Sequence, residues 1–362
     1  MTTMRTILFL LLSGTAAFGQ PNDGDLRLKP SATLESRPVI GAEIVWRTVS
    51  TDATYRASAQ AAPVAGDGGG YVVAWSEVAD GVSHACAGTL GADASPFRFG
   101  VCTAGAAGEP SIAPYGDRYI AAWLEPANDR RPLLVTAALT RDFALVRAAA
   151  VAVTSDRPIV RTTPVRAWVA SGKMLYQLDG DGAAVNNFDA PNPIDDLGAV
   201  GDQVGFAMHR RVVPANLYDI SFLWLYRLIS GVTLRNSDAP LSTAAGNDQF
   251  LVLWSEPLRQ LKGTLFGTSF KPFLVSSVGP GVTAASQAPV AWDGTRYVAV
   301  WARSDGGVEG AAISPDANVT PFTVSSRGSR PSIASSANGR FLVTYEIDGF
   351  ERQLTARSIG FN

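Results

Sequence analysis

Residues Pro289–Trp301 read PVAWDGTRYVAVW: a short apolar strand, a tight Asp-Gly turn, and a second strand ending in tryptophan. The phrase recurs. PVAGDGGGYVVAW spans Pro63–Trp75, PSIAPYGDRYIAAW spans Pro110–Trp123, PLSTAAGNDQFLVLW spans Pro240–Trp254, and PSIASSANGRFLVTY spans Pro331–Tyr345. Two weaker copies fill the gaps, PIVRTTPVRAW at Pro158–Trp168 and PIDDLGAVGDQVGFAM at Pro193–Met208. The leading prolines therefore fall at 63, 110, 158, 193, 240, 289 and 331.

After each tryptophan comes a polar turn, a third alternating stretch, another turn and a fourth stretch. In the sixth copy these are Val308–Ser314, Pro315–Asn318 and Thr320–Ser325. Four short strands in a period of roughly 40–50 residues are the mark of a propeller blade. The expected fold is thus all-β: a seven-bladed β-propeller of four-stranded antiparallel blades. Asp-Gly and Asn-Gly pairs supply the positive φ of a two-residue hairpin. Tyr297 and Trp301 lie four apart, so period two puts both on one face, expected to pack on the next blade. Burial of such a ring is worth roughly 1.5–3 kcal/mol. Proline at the first residue of a strand costs no ladder bond.

The last copy has strands near Ser332–Ser335, Arg340–Tyr345 and Gln353–Ile359, and then the chain stops at Asn362. It lacks a fourth strand. Ahead of the first copy lies an orphan strand, VIGAEIVWRTV, at Val39–Val49. An unpaired sheet edge is a liability, so residues 39–49 are expected to complete the last blade and close the ring.

Around this repeat the organisation is simple. Residues 1–19 read as a secretory signal peptide: Arg5, the apolar Ile7–Leu12, and the small-x-small site Ala17-Phe18-Gly19. Residues 20–38 form a polar leader, and 39–362 form the propeller. The expected location is outside the cytoplasm, secreted or periplasmic. Of the 362 residues 17% are charged and 35 are glycine, which suits an all-β chain rich in turns. A net charge of −2 argues against nucleic acid as a partner. After the signal, no apolar run is long enough to span a membrane as a helix. The two cysteines, Cys86 and Cys102, face each other across a hairpin centred on Ala94, and an exported chain should join them in a disulfide.

Chemistry is harder to find. A glutamate follows the tryptophan by two residues at Glu77, Glu125 and Glu256, and Glu346 follows Tyr345 by one. Repetition favours a structural role for these, since catalytic groups are usually unique. Asp179-Gly180-Asp181-Gly182 resembles the start of a calcium loop but lacks the later ligands, and a hairpin turn is the better reading. His84 and His209 have no metal-ligand spacing, so no metal and no cofactor is expected. No G-x-S-x-G elbow and no phosphate loop is present, and no catalytic residue is assigned. In the fourth copy Met208 replaces the tryptophan, and His209-Arg210-Arg211 begins an excursion through Val212–Asp219. Candidate ligand-binding residues are Glu125, Arg130, Arg131, Asp195, Asp196, Arg210, Arg211 and Asp305, all placed by the repeat in loops at one end of the ring.

The pattern P-x-x-A…G-x-x-Y/F-x-V-x-W resembles that of secreted bacterial β-propeller repeat proteins, over about 300 residues of the chain. The resemblance implies the fold and carries over no site. The expected function is non-catalytic: binding or scaffolding of a protein or carbohydrate through loops at one mouth of the channel. The alternative is an extracellular polysaccharide hydrolase or lyase, with acids such as Asp195, Asp196, Glu125 and Asp305 meeting at that mouth.

Overall fold

The computed structural model describes residues 37–49, 64–67, 70–127, 132–154, 156–200, 203–212, 217–225, 229–230, 234–237, 242–246, 249–255, 260–267, 273–276, 289–336, 339–349 and 352–362. For several strand residues, Arg210 and Arg211 among them, only the backbone is described. The chain opens with β1 (Pro38–Ile40) and β2 (Ile44–Val49). The first blade holds β3 (Val64–Asp67), β4 (Gly70–Ala79), β5 (Val82–Leu90) and β6 (Pro96–Cys102). The second holds β7 (Gly108–Tyr115), β8 (Arg118–Glu125), β9 (Leu133–Thr140) and β10 (Leu145–Val153). The third holds β11 (Ile159–Thr162), β12 (Ala167–Ser171), β13 (Met174–Leu178) and β14 (Ala184–Asp189). The fourth holds β15 (Ile194–Val200), β16 (Gln203–Val212), β17 (Leu217–Trp224), β18 (Ile229–Ser230) and β19 (Leu234–Ser237). The fifth holds β20 (Ser242–Ala245), β21 (Phe250–Ser255), β22 (Leu261–Phe266) and β23 (Phe273–Ser276). The sixth holds β24 (Val290–Trp292), β25 (Tyr297–Ala302), β26 (Val308–Ile313) and β27 (Val319–Ser325). The chain ends in β28 (Ser329–Ser335), β29 (Phe341–Ile347) and β30 (Arg352–Phe361).

Among the described residues all pairings are antiparallel, and four-stranded sheets predominate. The count of seven blades is corrected. Six blades are found, not seven, each folded from one consecutive run of strands. The last sheet is not folded from one run of strands. It takes β28, β29 and β30 from one end of the chain and β1 and β2 from the other, and so has five strands. The reason lies at the edge of β30, which is covered by residues 38–49 rather than by a strand following it in sequence. That cover is two strands rather than one. β1 pairs Pro38–Ile40 with Phe361–Ile359, and β2 pairs Ile44–Val49 with Ala356–Arg352. Inner strands follow one another around the axis, β3 beside β7, then β11, β15, β20, β24 and β28, which returns to β3.

The aromatic ladder sits between sheets, with one change of direction from expectation. Tyr297 and Trp301 pack on the preceding blade, among Leu251, Leu253 and Leu265, and the Tyr297 hydroxyl donates to the Gln249 carbonyl at 3.1 Å. Trp75 likewise faces back, onto Trp46 and Leu354 of the closing sheet. The third blade breaks the rule: Trp168 faces forward, onto Leu197 and Phe206 of the fourth. The excursion expected in the fourth blade is largely a longer hairpin, with Arg210 opposite Asp219 and Arg211 opposite Tyr218. Cys86 and Cys102 are register partners across β5 and β6 and form a disulfide, with Cα atoms 4.0 Å apart.

Candidate functional site: a charged rim and an open interblade cleft

Because each inner strand runs antiparallel to the second strand of its sheet, inner-strand starts and second-strand ends share one rim. Gly108 lies opposite Leu124, and Ser329 opposite Glu346. Here the charges are spent on joining sheets. Asp196 Oδ1 accepts from Arg161 Nη2 at 2.9 Å and from the Leu197 N–H at 2.8 Å, while Oδ2 accepts the Thr243 N–H at 3.0 Å. One carboxylate thus ties the third, fourth and fifth blades. Asp195 is buried beside it. Burial lowers the proton affinity of the Arg157 guanidinium, against the opposing pull of Asp196, Glu109 and Asp195. Glu346 is buried between Arg330 and Arg352, and Arg352 also donates to the Ser76 carbonyl of the first blade at 3.0 Å. Glu109 and Arg330 each precede a leading proline and adopt left-handed φ, 52° and 48°. In both inner strands the register shifts at that point, a bulge that turns the charged side chain out of the ladder.

A cleft of about 370 Å³ opens between the first and second blades. Ala74, Ala87 and the Cys86–Cys102 bridge form one wall, and Ile112, Ala121, Trp123 and Phe143 the other. Val101 and Leu145 at its outer edge are 50% and 61% exposed. Its polar groups are few, chiefly Glu125 and the Thr103–Gly105 turn. The Glu125 carboxylate accepts the Trp123 Nε1–H at 2.8 Å, and among the described residues no cation pairs with it.

The neighbouring junction, between the closing sheet and the first blade, has the same Trp-x-Glu step but is filled. Glu77 accepts the Trp75 Nε1–H at 3.0 Å, and Arg47 grips it with Nε at 3.1 Å and Nη2 at 2.6 Å. Trp46 lies edge-on to Trp75, with ring centroids 5.3 Å apart. Burial favours protonation of Glu77, yet the hydrogen bonds from Arg47 and Trp75 outweigh it and hold its pKa below the usual range. The partner shared by Glu77 and Glu125 is therefore the indole two residues back. Glu346, shifted by one residue, points to the opposite face of its strand.

The remaining candidates separate. Arg130, Arg131 and Glu256 lie outside the described residues, and the side chains of Arg210 and Arg211 are not described. Asp305 closes a small exposed turn with Arg303, whose hydrogen bonds keep its carboxyl below the usual range. Asp179 accepts the N–H groups of Asp181 and Ala183 and builds the hairpin turn expected of it, at the opposite rim. Glu77 and the two cysteine sulfurs lie within 4.8 Å of one another, but the sulfurs are bonded to each other. Sequence reasoning passed over Arg47, Arg157, Arg161, Glu109 and Arg352. The residue just before each leading proline was the available signal for Glu109, Arg157 and Arg330.

No protein-family model matches the chain, and no curated protein is similar to it. Solved structures do resemble it. The WD40 domain of Toxoplasma gondii coronin superposes with a TM-score of 0.56 at 8% identity, over 90% of this chain and 86% of that one. The Trypanosoma rangeli sialidase gives a TM-score of 0.47 at 8% identity, over 83% of this chain and 54% of that one. The coronin domain supports a β-propeller fold. At such identity the likeness is one of fold alone.

Proposed function

We propose that this chain is an exported, non-catalytic binding or scaffold propeller whose partner is a protein. The observation that carries this reading is the open apolar cleft between the first and second blades, a concave surface with a few polar groups. The rim carboxylates support it from the other side. Asp196 and Glu346 are consumed in joining sheets, and Asp305 is held by Arg303 in its own turn. The polysaccharide hydrolase reading needs two carboxylates facing a shared substrate; of its candidates Asp196 and Asp305 face arginines and Asp195 is buried, which leaves Glu125 in the cleft. Export accords with the bonded cysteines, since such bridges persist in oxidising compartments. Among the described residues no helix is long and apolar enough to cross a membrane.

A peptide and glycan array probed with the full exported chain tests the reading. Retention of defined peptides, lost on Trp123→Ala substitution, is the expected result. Turnover of any retained glycan would overturn it.

A further inference from the structure

The two junctions that share the Trp-x-Glu step show what the open one lacks. In the closing sheet, Arg47 stands opposite Leu354, one strand in from the outer edge. In the first blade, the equivalent position follows Cys102, which stands opposite Cys86. That position is Thr103, whose N–H donates to the Ala85 carbonyl at 2.9 Å. Thr103 lines the cleft. Trp46 and Arg47 thus fill the space over Trp75 and Glu77, whereas a cysteine and a threonine leave the space over Trp123 and Glu125 open.

Resting on the reading of the chain as a protein binder, we propose that this cleft receives an arginine side chain of the partner. The arginine is flanked by a large apolar residue, and its guanidinium grips Glu125 as Arg47 grips Glu77. The chemistry is complementary on each side. A planar guanidinium can give two hydrogen bonds to one carboxylate, a geometry lysine cannot reproduce. The Glu125 charge has no described cation, and the indole that already donates to it holds the carboxylate in place. The apolar walls, Ile112, Phe143, Leu145 and Val101, suit the neighbouring side chain. A neutral or acidic ligand would leave the carboxylate partly desolvated and uncompensated.

The test uses the ¹⁵N-labelled full chain and the dipeptide Ac-Trp-Arg-NH₂, followed at the Trp123 indole Nε1–H resonance, which is assigned by its loss in Trp123→Phe. The expected result is a saturable shift, weakened about tenfold or more by Glu125→Gln or by replacing the arginine with neutral citrulline. Thr103→Arg should block the shift while leaving the melting temperature near that of the parent. Equal binding of the citrulline dipeptide, or an unmoved Trp123 resonance at millimolar ligand, overturns the proposal. So does a shift seen only when Arg130 and Arg131 are both changed to Ala, because the slot would then belong to this chain's own arginine. The two readings fail separately. Retention of peptides on the array with Trp123 silent removes the arginine slot and keeps the binder. A Trp123 response with no macromolecule retained keeps the slot and removes the binder.

Discussion

Two junctions of the ring start from the same local sequence and end differently. Between the closing sheet and the first blade, Trp75 and Glu77 are covered by Trp46 and Arg47. Between the first and second blades, Trp123 and Glu125 face open space. The strand-and-turn pattern that sets the fold is common to both. What differs is the outermost strand: one is donated from far away in the chain and sets Trp46 and Arg47 over the step, the other is local and ends there in Cys102, followed by Thr103. Packing between sheets is therefore decided by the edge strand rather than by the repeated core.

The largest effect should come from removing the donated strand. Deleting residues 38–49 uncovers the β30 edge and takes away the buried Trp46 and Val49. Each buried side chain is worth roughly 1.5–3 kcal/mol, before the ladder bonds are counted. Loss of the cooperative melt is expected, and a melting temperature equal to the parent's would refute this account of closure. Next is the disulfide. Its sequence separation of 16 predicts a loss of about 3 kcal/mol on Cys86→Ser with Cys102→Ser, read by urea titration.

Glu77→Gln should follow, at about 1–2 kcal/mol, since it breaks a partly exposed, two-pronged pair with Arg47. The same change at Glu125 should cost under about 0.5 kcal/mol, because there is no described cation to strand. Similar losses at both sites would mean the junctions do not differ as described. The smallest effect is a matter of pH. The carboxyls of Glu43 and Glu77 are held below the usual glutamate range: burial pushes each up, and hydrogen bonds from Tyr345 and Arg327, or from Arg47 and Trp75, more than reverse it. A lowered folded-state pKa gives stability that is complete above the unfolded pKa and lost as pH falls through the folded one. Stability should thus decline below about pH 4.3, the ordinary glutamate value, less steeply in Glu43→Gln, as a melt series in acid would show.

The repeat was legible because its signals are local. Asp293-Gly294 makes the turn, and period two places Tyr297 and Trp301 together, so no distant information is needed. The orphan strand at Val39–Val49 was legible by subtraction, from a missing partner at the other end. The blade count failed because spacing of prolines cannot distinguish a unit folded from one run of strands from a sheet shared between the chain's ends. The direction of the aromatic ladder failed for a related reason: alternation says which residues share a face, not which neighbour that face meets. At the candidate site, Glu125 was visible as a repeated residue. Its difference from Glu77 was not, because that difference lies in Thr103 and Arg47, which are brought into equivalent positions only by pairing. Asp195 and Asp196 were expected in loops and lie instead, buried, in β15, because Arg161 and the Thr243 amide, which hold Asp196, come from blades on either side.

The shared sheet has a consequence for how the molecule comes into being. β2 precedes the six blades in sequence and β30 follows them, so β2 must wait, uncommitted, while the blades between are made. Until β30 arrives the protein is an open arc with Trp75 and Leu342 bare at its ends, and sealing it pays the loop entropy of nearly the whole chain in one late step. Maturation of this protein therefore turns on a latch that cannot shut before β30 has been made.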